Sequence, residues 1–204
     1  MAARADEIQR LGGGAAIWFA YEPEVKVELF ASALTLDDGS LALIDPIPLA
    51  DPAWDELTAG RGPARILLTN SNHARAADAL RVAHGLPVFS HPLATGRLET
   101  ATDGTIASDS PPPGLEVVEI PGAPEGEVAL WQESTGTLVL GDALIHIEGY
   151  GFTFLPDKYA RNPQLMRRSL RALCEFEPRR ILFAHGFPIV ERADARLRAL
   201  CAAA

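Results

Sequence analysis

Between residues 65 and 89 an apolar run, a helix and a second apolar run follow one another, and this stretch constrains the fold more than any other. Residues 65–68 (Arg-Ile-Leu-Leu) read as a buried strand, 74–84 as a helix and 86–89 as the next strand. Two strands joined through a helix run parallel, because so long a connection crosses over the sheet instead of turning back as a hairpin. The chain is therefore expected to be an α/β protein with part of a sheet parallel.

The flanking sequence adds elements to both sides. Residues 25–36 and 41–44 form a hairpin through the turn Asp37-Asp38-Gly39-Ser40, and Asp45-Pro46 ends it. A short helix covers 51–59, with Asp51 as N-cap and Pro52 in the first helical position. Residues 91–98 are helical, and 103–114, with Pro111-Pro112-Pro113-Gly114, are a loop. Strands follow at 115–120, 127–132 and 137–140. A helix over 163–177 turns Met166, Leu170, Leu173 and Cys174 to the core. A last strand at 180–184 and a helix at 190–201 close the chain. No linker divides these elements, so 1–204 reads as one domain with 1–14 as an N-terminal extension.

The formal net charge is −9, which disfavours nucleic acid as a partner. No apolar stretch approaches the roughly 20 residues of a membrane-spanning helix, and residues 1–14 lack the apolar core of a signal peptide. Two cysteines, Cys174 and Cys201, imply no disulfide framework, and Cys174 reads as a small core hydrophobe. The expected location is cytoplasmic. The terminal Cys-Ala-Ala-Ala reads as a helix end in preference to a prenylation signal.

The polar cluster after the 65–68 strand is Thr69-Asn70-Ser71-Asn72-His73-Ala74-Arg75. Later come Pro121-Gly122-Ala123, Gly141-Asp142 and His185-Gly186. In order and spacing these segments resemble the metallo-β-lactamase superfamily. The resemblance implies a four-layer αββα sandwich. The family's first segment reads Thr-His-x-His-x-Asp-His. Its two leading histidines correspond to Asn70 and Asn72, its aspartate to Ala74 and its last histidine to Arg75. Ala123 stands where the family has the histidine of Pro-Gly-His, while Asp142 and His185 keep the family residues.

A zinc hydrolase site needs three strong protein ligands and an open position. Neither of the family's two metal positions keeps three here, so the leading expectation is a protein without a di-metal hydrolase site, without a cofactor and with less than one equivalent of metal. It would bind a small molecule or act without metal. Hydrolysis of β-lactams, thioesters or phosphodiesters is then not expected. In this reading Arg75 takes the place of metal and pairs with Asp142, with Asn70 or Asn72 completing the hydrogen bonds. Its competitor has Arg75 reaching solvent. The alternative function is a hydrolase with one divalent zinc or iron held by His73, Asp142 and His185. Against it, His73 reads first as a capping or solvated residue at a helix start. Tyr150, Phe152, Phe154 and Tyr159 lie in an aromatic segment over 149–159 that forms a lid, packs onto the sandwich or meets a second subunit in a homo-oligomer.

Overall fold

The computed structural model describes residues 4–203. A seven-stranded sheet contains, in spatial and chain order, β1 (Gln9–Gly12), β2 (Ala15–Glu22), β3 (Val27–Thr35), β4 (Leu41–Ile44), β5 (Ala64–Leu68), β6 (Val88–Ser90) and β7 (Gly104–Thr105). Helix α1 (Asp51–Thr58) links β4 to β5, α2 (Ala77–His84) links β5 to β6, and α3 (Pro92–Thr95) precedes β7. A four-stranded sheet follows from β8 (Glu116–Glu119), β9 (Val128–Gln132), β10 (Thr137–Leu140) and, after a hairpin of β11 (Leu144–Ile147) with β12 (Gly151–Phe154) and helix α4 (Pro163–Leu170), β13 (Arg180–Phe183). Helix α5 (Ala193–Ala202) ends the described chain.

The pleat explains why this arrangement has four layers. Successive side chains of a strand point to opposite faces, and the central strands are buried on both. On β5, Leu67 joins Phe30, Leu34 and Ile44 against Val117, Leu130 and Leu182 between the sheets, while Ile66 and Leu68 face outward onto Leu57 of α1 and Ala77 of α2. On β10, Val139 points into the inter-sheet core while Leu138 and Leu140 pack with Met166 of α4 and Leu197 of α5. Continuous apolar runs such as Ile-Leu-Leu are what a strand covered on both faces requires.

The parallel crossover is present: β4 pairs with β5 and β5 with β6 in parallel. Several expected boundaries move. The 74–84 helix begins at Ala77, because residues 69–76 form a loop. Asp51 is not the N-cap of α1; Ala50 is, and Asp51 and Pro52 open the helix. The 163–177 helix ends at Leu170 and continues as a 3-10 turn over Arg171–Glu175. Residues 9–12 of the expected extension are strand β1, paired with β2. The two cysteines are corrected as well: Cys174 and Cys201 form a disulfide that ties the turn after α4 to α5. Cys174 is thus a cross-link, not a free core thiol, and the location inferred from unpaired cysteines loses its basis. Among the described residues no helix is long and apolar enough to cross a membrane.

The sheets place four chain segments together. Strands β10 and β13 are parallel, as are β4 and β5. Asp45 follows β4, the 69–76 loop follows β5, Asp142 follows β10 and His185 follows β13. Four carboxyl ends of strands therefore meet at one edge of the sandwich, where α/β sheets characteristically carry their sites.

Candidate metal centre

His73, Asp142 and His185 converge at that edge. One ligand atom from each lies within 4.8 Å of the others. Asp142 Oδ1 is 3.1 Å from His73 Nε2 and 3.2 Å from His185 Nε2. Side-chain exposure rises from 2% at His73 through 9% at Asp142 to 20% at His185, so the cluster opens to solvent on the His185 side.

The hydrogen-bond partners determine where the protons sit. Thr69 Oγ1 donates to Asp45 Oδ2 at 2.6 Å, and Thr69 N donates to Asp45 Oδ1 at 2.8 Å. His73 Nδ1 lies 2.8 Å from the same Asp45 Oδ2. A carboxylate only accepts, so Nδ1 carries the proton and Nε2 is the atom turned toward Asp142. His185 Nε2 faces the Arg75 guanidinium at 3.5 Å on one side and Asp142 Oδ1 at 3.2 Å on the other. Burial depresses the His185 pKa against the opposing pull of Asp142, which favours the neutral ring.

Two of the three buried side-chain polar atoms without a hydrogen-bond partner among the described residues are His73 Nε2 and Asp142 Oδ1. They are close, but they are not aligned for a hydrogen bond. A divalent cation between the three groups would satisfy both. Tetrahedral zinc with ligands at about 2.0–2.1 Å separates those ligands by about 3.3 Å, close to the 3.1 and 3.2 Å observed. Asp45 behind His73 is the carboxylate–histidine pairing that orients metal-binding imidazoles.

Charge follows the same geometry. Burial would lower the His73 pKa, but Asp45 and Asp142 outweigh it and raise it to about 9. Burial would raise Asp142, yet His73 and His185 hold its carboxyl well below the usual range. Burial and the neighbouring Asp142 charge push Glu127 up to about 8.

The residues expected at the site divide into three groups. His73 is neither solvated nor a helix cap but the most deeply buried of the cluster. Asn70 does bond Asp142: its Nδ2 donates to Asp142 Oδ2 at 3.1 Å and to Glu127 Oε2 at 2.6 Å. Its Oδ1 is turned away, accepting from Asn72 N at 2.8 Å, so Asn70 presents donors to the site. Arg75 departs from the expected ion pair with Asp142 and also from solvent. Its Nη1 donates to the carbonyls of Phe30 at 2.7 Å and Asp45 at 3.0 Å, and its Nη2 to that of Ala184 at 3.4 Å. These carbonyls lie inside β3 (Phe30) and just after β4 (Asp45) and β13 (Ala184), the last also accepting from Phe30 N–H at 3.0 Å, and the guanidinium fork reaches all three at once. Both Asp45 and Arg75 take left-handed backbone angles (φ 49° and 40°), unusual for side-chain-bearing residues and most often retained at functional sites.

The remaining expectations lie off the cluster. Asn72 is exposed, and Ala123 is buried in the core beneath α4. A cavity of about 390 Å³ opens beside Ala123 and Glu127, lined also by Ile120, Arg161 and Leu165, and does not include the two histidines. Of the aromatic segment, Tyr150, Phe152 and Phe154 belong to the β11–β12 hairpin, and Tyr159 to a 3-10 turn over Asp157–Tyr159. Phe152 and Phe154 pack onto the outer core, while Tyr150 and Tyr159 are exposed. Glu127, Thr69 and Asp45 also belong to the site, beyond the residues to which the sequence points. Glu127 accepts from the backbone N–H groups of Asp142 and Ala143 at 2.7 and 3.0 Å. An acidic residue opening the apolar run Val128–Trp131 was the available signal.

The metallo-beta-lactamase superfamily model matches residues 14–204. No curated protein matches. Among solved structures, a metallo-beta-lactamase from Pontibacter korlensis superposes with a TM-score of 0.75 at 15% identity, covering 96% of this chain and 98% of its own. The metallo-beta-lactamase TMB-1 gives 0.71 at 15% identity, with 97% of each chain covered. TTHA1623, solved in a di-iron-bound form, gives 0.61 at 24% identity, covering 84% of this chain and 94% of its own. At such identities these likenesses speak for the fold, and the family match extends over nearly the whole chain. This chain belongs to the metallo-β-lactamase superfamily.

Proposed function

We propose that this protein is a hydrolase built on one divalent zinc or iron, held by His73, Asp142 and His185, in place of a two-metal centre. One observation carries the reading. Asp142 Oδ1 and the Nε2 atoms of both histidines crowd together, with two of the three lacking any aligned hydrogen bond. Three protein ligands with an open position suit catalysis better than a closed structural site. A bound ion would supply Lewis-acid polarisation of a substrate carbonyl or phosphoryl group. The chain's own groups do the rest: Asp45 keeps His73 in the tautomer that binds through Nε2, Asn70 occupies the second oxygen of Asp142, and Arg75 holds the carbonyl just before His185. The first metal position of the family does not fit an ion here, because Asn70 turns its amide nitrogen to the site and Ala123 offers no donor atom.

A second reading, ligand binding without metal, also has support. With His73 protonated, two cations (His73 and Arg75) balance two carboxylates (Asp45 and Asp142), and the cluster is neutral as it stands.

Calorimetric titration of metal-stripped protein separates the two. The one-metal reading expects zinc to bind at one equivalent and His73→Ala to abolish the binding. It also fixes the pH dependence. Metal must displace the His73 proton, whose pKa lies at about 9, so affinity should fall about tenfold per unit as pH decreases below that value. Close to one proton should appear in buffers of different ionisation enthalpy at pH 7. Absence of binding would favour the metal-free reading, and binding that survives His73→Ala would overturn the three-ligand site.

A further inference from the structure

We propose that His146 is a positioning residue for the metal ligand His185 and that Arg196 fixes His146 in turn; this rests on the one-metal reading above. His146 lies on β11, beside the segment 185–187. Its backbone N–H donates to the His185 carbonyl at 3.0 Å, and Phe187 N–H donates to the His146 carbonyl at 3.2 Å. Between them Gly186 has φ 111°, and a Cβ there would fall 2.0 Å from the His146 carbonyl oxygen. The segment is thus pressed onto β11 as closely as backbone permits.

The side chain adds a tie that backbone cannot. His146 Nδ1 lies 2.7 Å from the Phe187 carbonyl oxygen. A carbonyl only accepts, so Nδ1 carries the proton and Nε2 is left bare. Arg196 of α5 meets that bare nitrogen, its Nη2 donating at 3.2 Å. Both nitrogens of the ring therefore have partners that agree on one tautomer. The ring also sits against Phe152 and Phe183, at 6.2 and 5.9 Å between centroids, and the Arg196 guanidinium lies 5.9 Å from the Phe152 ring.

The consequence falls on His185. The carbonyl before it is held by Arg75, and the Ala184 N–H donates to Leu140 at 3.0 Å. The residues after it are held by His146. His185 is the most exposed of the three ligands, so its ring has the least packing of its own and depends most on a fixed backbone. Outer groups that orient a metal ligand typically change affinity about 10–100-fold when removed.

The test measures zinc affinity of the full chain by competition with a chromophoric chelator, together with the visible absorption of the cobalt(II) form. His146→Phe keeps a ring against Phe152 and Phe183 and removes both polar nitrogens; zinc should bind about 10–100-fold more weakly, with an altered cobalt spectrum. His146→Asn places an amide N–H near the position of Nδ1 and should recover most of the affinity. Arg196→Gln, an exposed change, should give a smaller loss in the same direction and carries the test should the Phe variant not fold. Wild-type affinity in the Phe variant, or in Arg196→Gln where the Phe variant does not fold, would overturn the positioning role. So would an Asn variant as weak as Phe, which would point to ring packing. A wild-type protein that binds no zinc would instead remove the one-metal reading, and this inference with it.

Discussion

His73→Phe is expected to destabilise the fold by about 3–5 kcal/mol, because breaking a buried charged contact leaves its partners uncompensated. Asp45 and Asp142 both lose their closest cationic neighbour, at 2.8 and 3.1 Å, in an environment where His73 is only 2% exposed. Chemical denaturation of metal-free protein measures the cost. Removing Asp142 at the same time should recover part of it: His73→Phe with Asp142→Leu should cost clearly less than the two single changes added together, since the double variant leaves one fewer buried charge without a partner. A solvated histidine at a helix start would give small, additive effects. Near-additivity would argue that His73 and Asp142 do not form one unit.

Arg75→Met should be of similar size, about 3 kcal/mol or more, but for a different reason. The Phe30 and Asp45 carbonyls lose their Arg75 donor, and each buried polar group left without a partner costs about 1–3 kcal/mol. Those carbonyls belong to the backbone, so no second side-chain replacement can relieve them. Asp142→Asn should not rescue Arg75→Met. A marked rescue would restore the direct Arg75–Asp142 pairing that the sequence suggests and would contradict the carbonyl-capping geometry, in which the guanidinium bonds Phe30, Asp45 and Ala184.

The difference between these two variants shows what the sequence could and could not disclose. The sandwich was legible because its signals are periodic and redundant. Residues 65–89 declare a crossover, and runs such as Leu138–Val139–Leu140 are apolar at every position because both faces are covered. Strand β2 was missed because its Ala-rich start lacks alternation, being buried on both sides. The β11–β12 hairpin was hidden by Gly149 and Gly151, which read as loop.

The site was legible as a set of residues and much less so as a set of contacts. Asp142 and His185 carry the family's own residue types. His73 and Arg75 have no such support, and their roles depend on how the loop turns. Because Arg75 takes a left-handed angle and α2 starts only at Ala77, the chain between Leu68 and Ala77 coils tightly. His73 turns inward to Asp142, while Arg75 is carried beneath it to the strand ends. An unchanged chain path would give Arg75 the contact that His73 makes. The Cys174–Cys201 bond was likewise out of reach, since a separation of 27 residues says nothing about whether two helical segments meet.

The one-metal centre is tested most directly by anomalous diffraction from crystals of the zinc-loaded protein, with data collected on both sides of the zinc edge. The account predicts a single peak at the exposed edge of the sandwich, about 2.0–2.2 Å from His73 Nε2, His185 Nε2 and an oxygen of Asp142. Two peaks, a peak bound through Asn70, or no peak beside a His73–Asp142 hydrogen bond would contradict it.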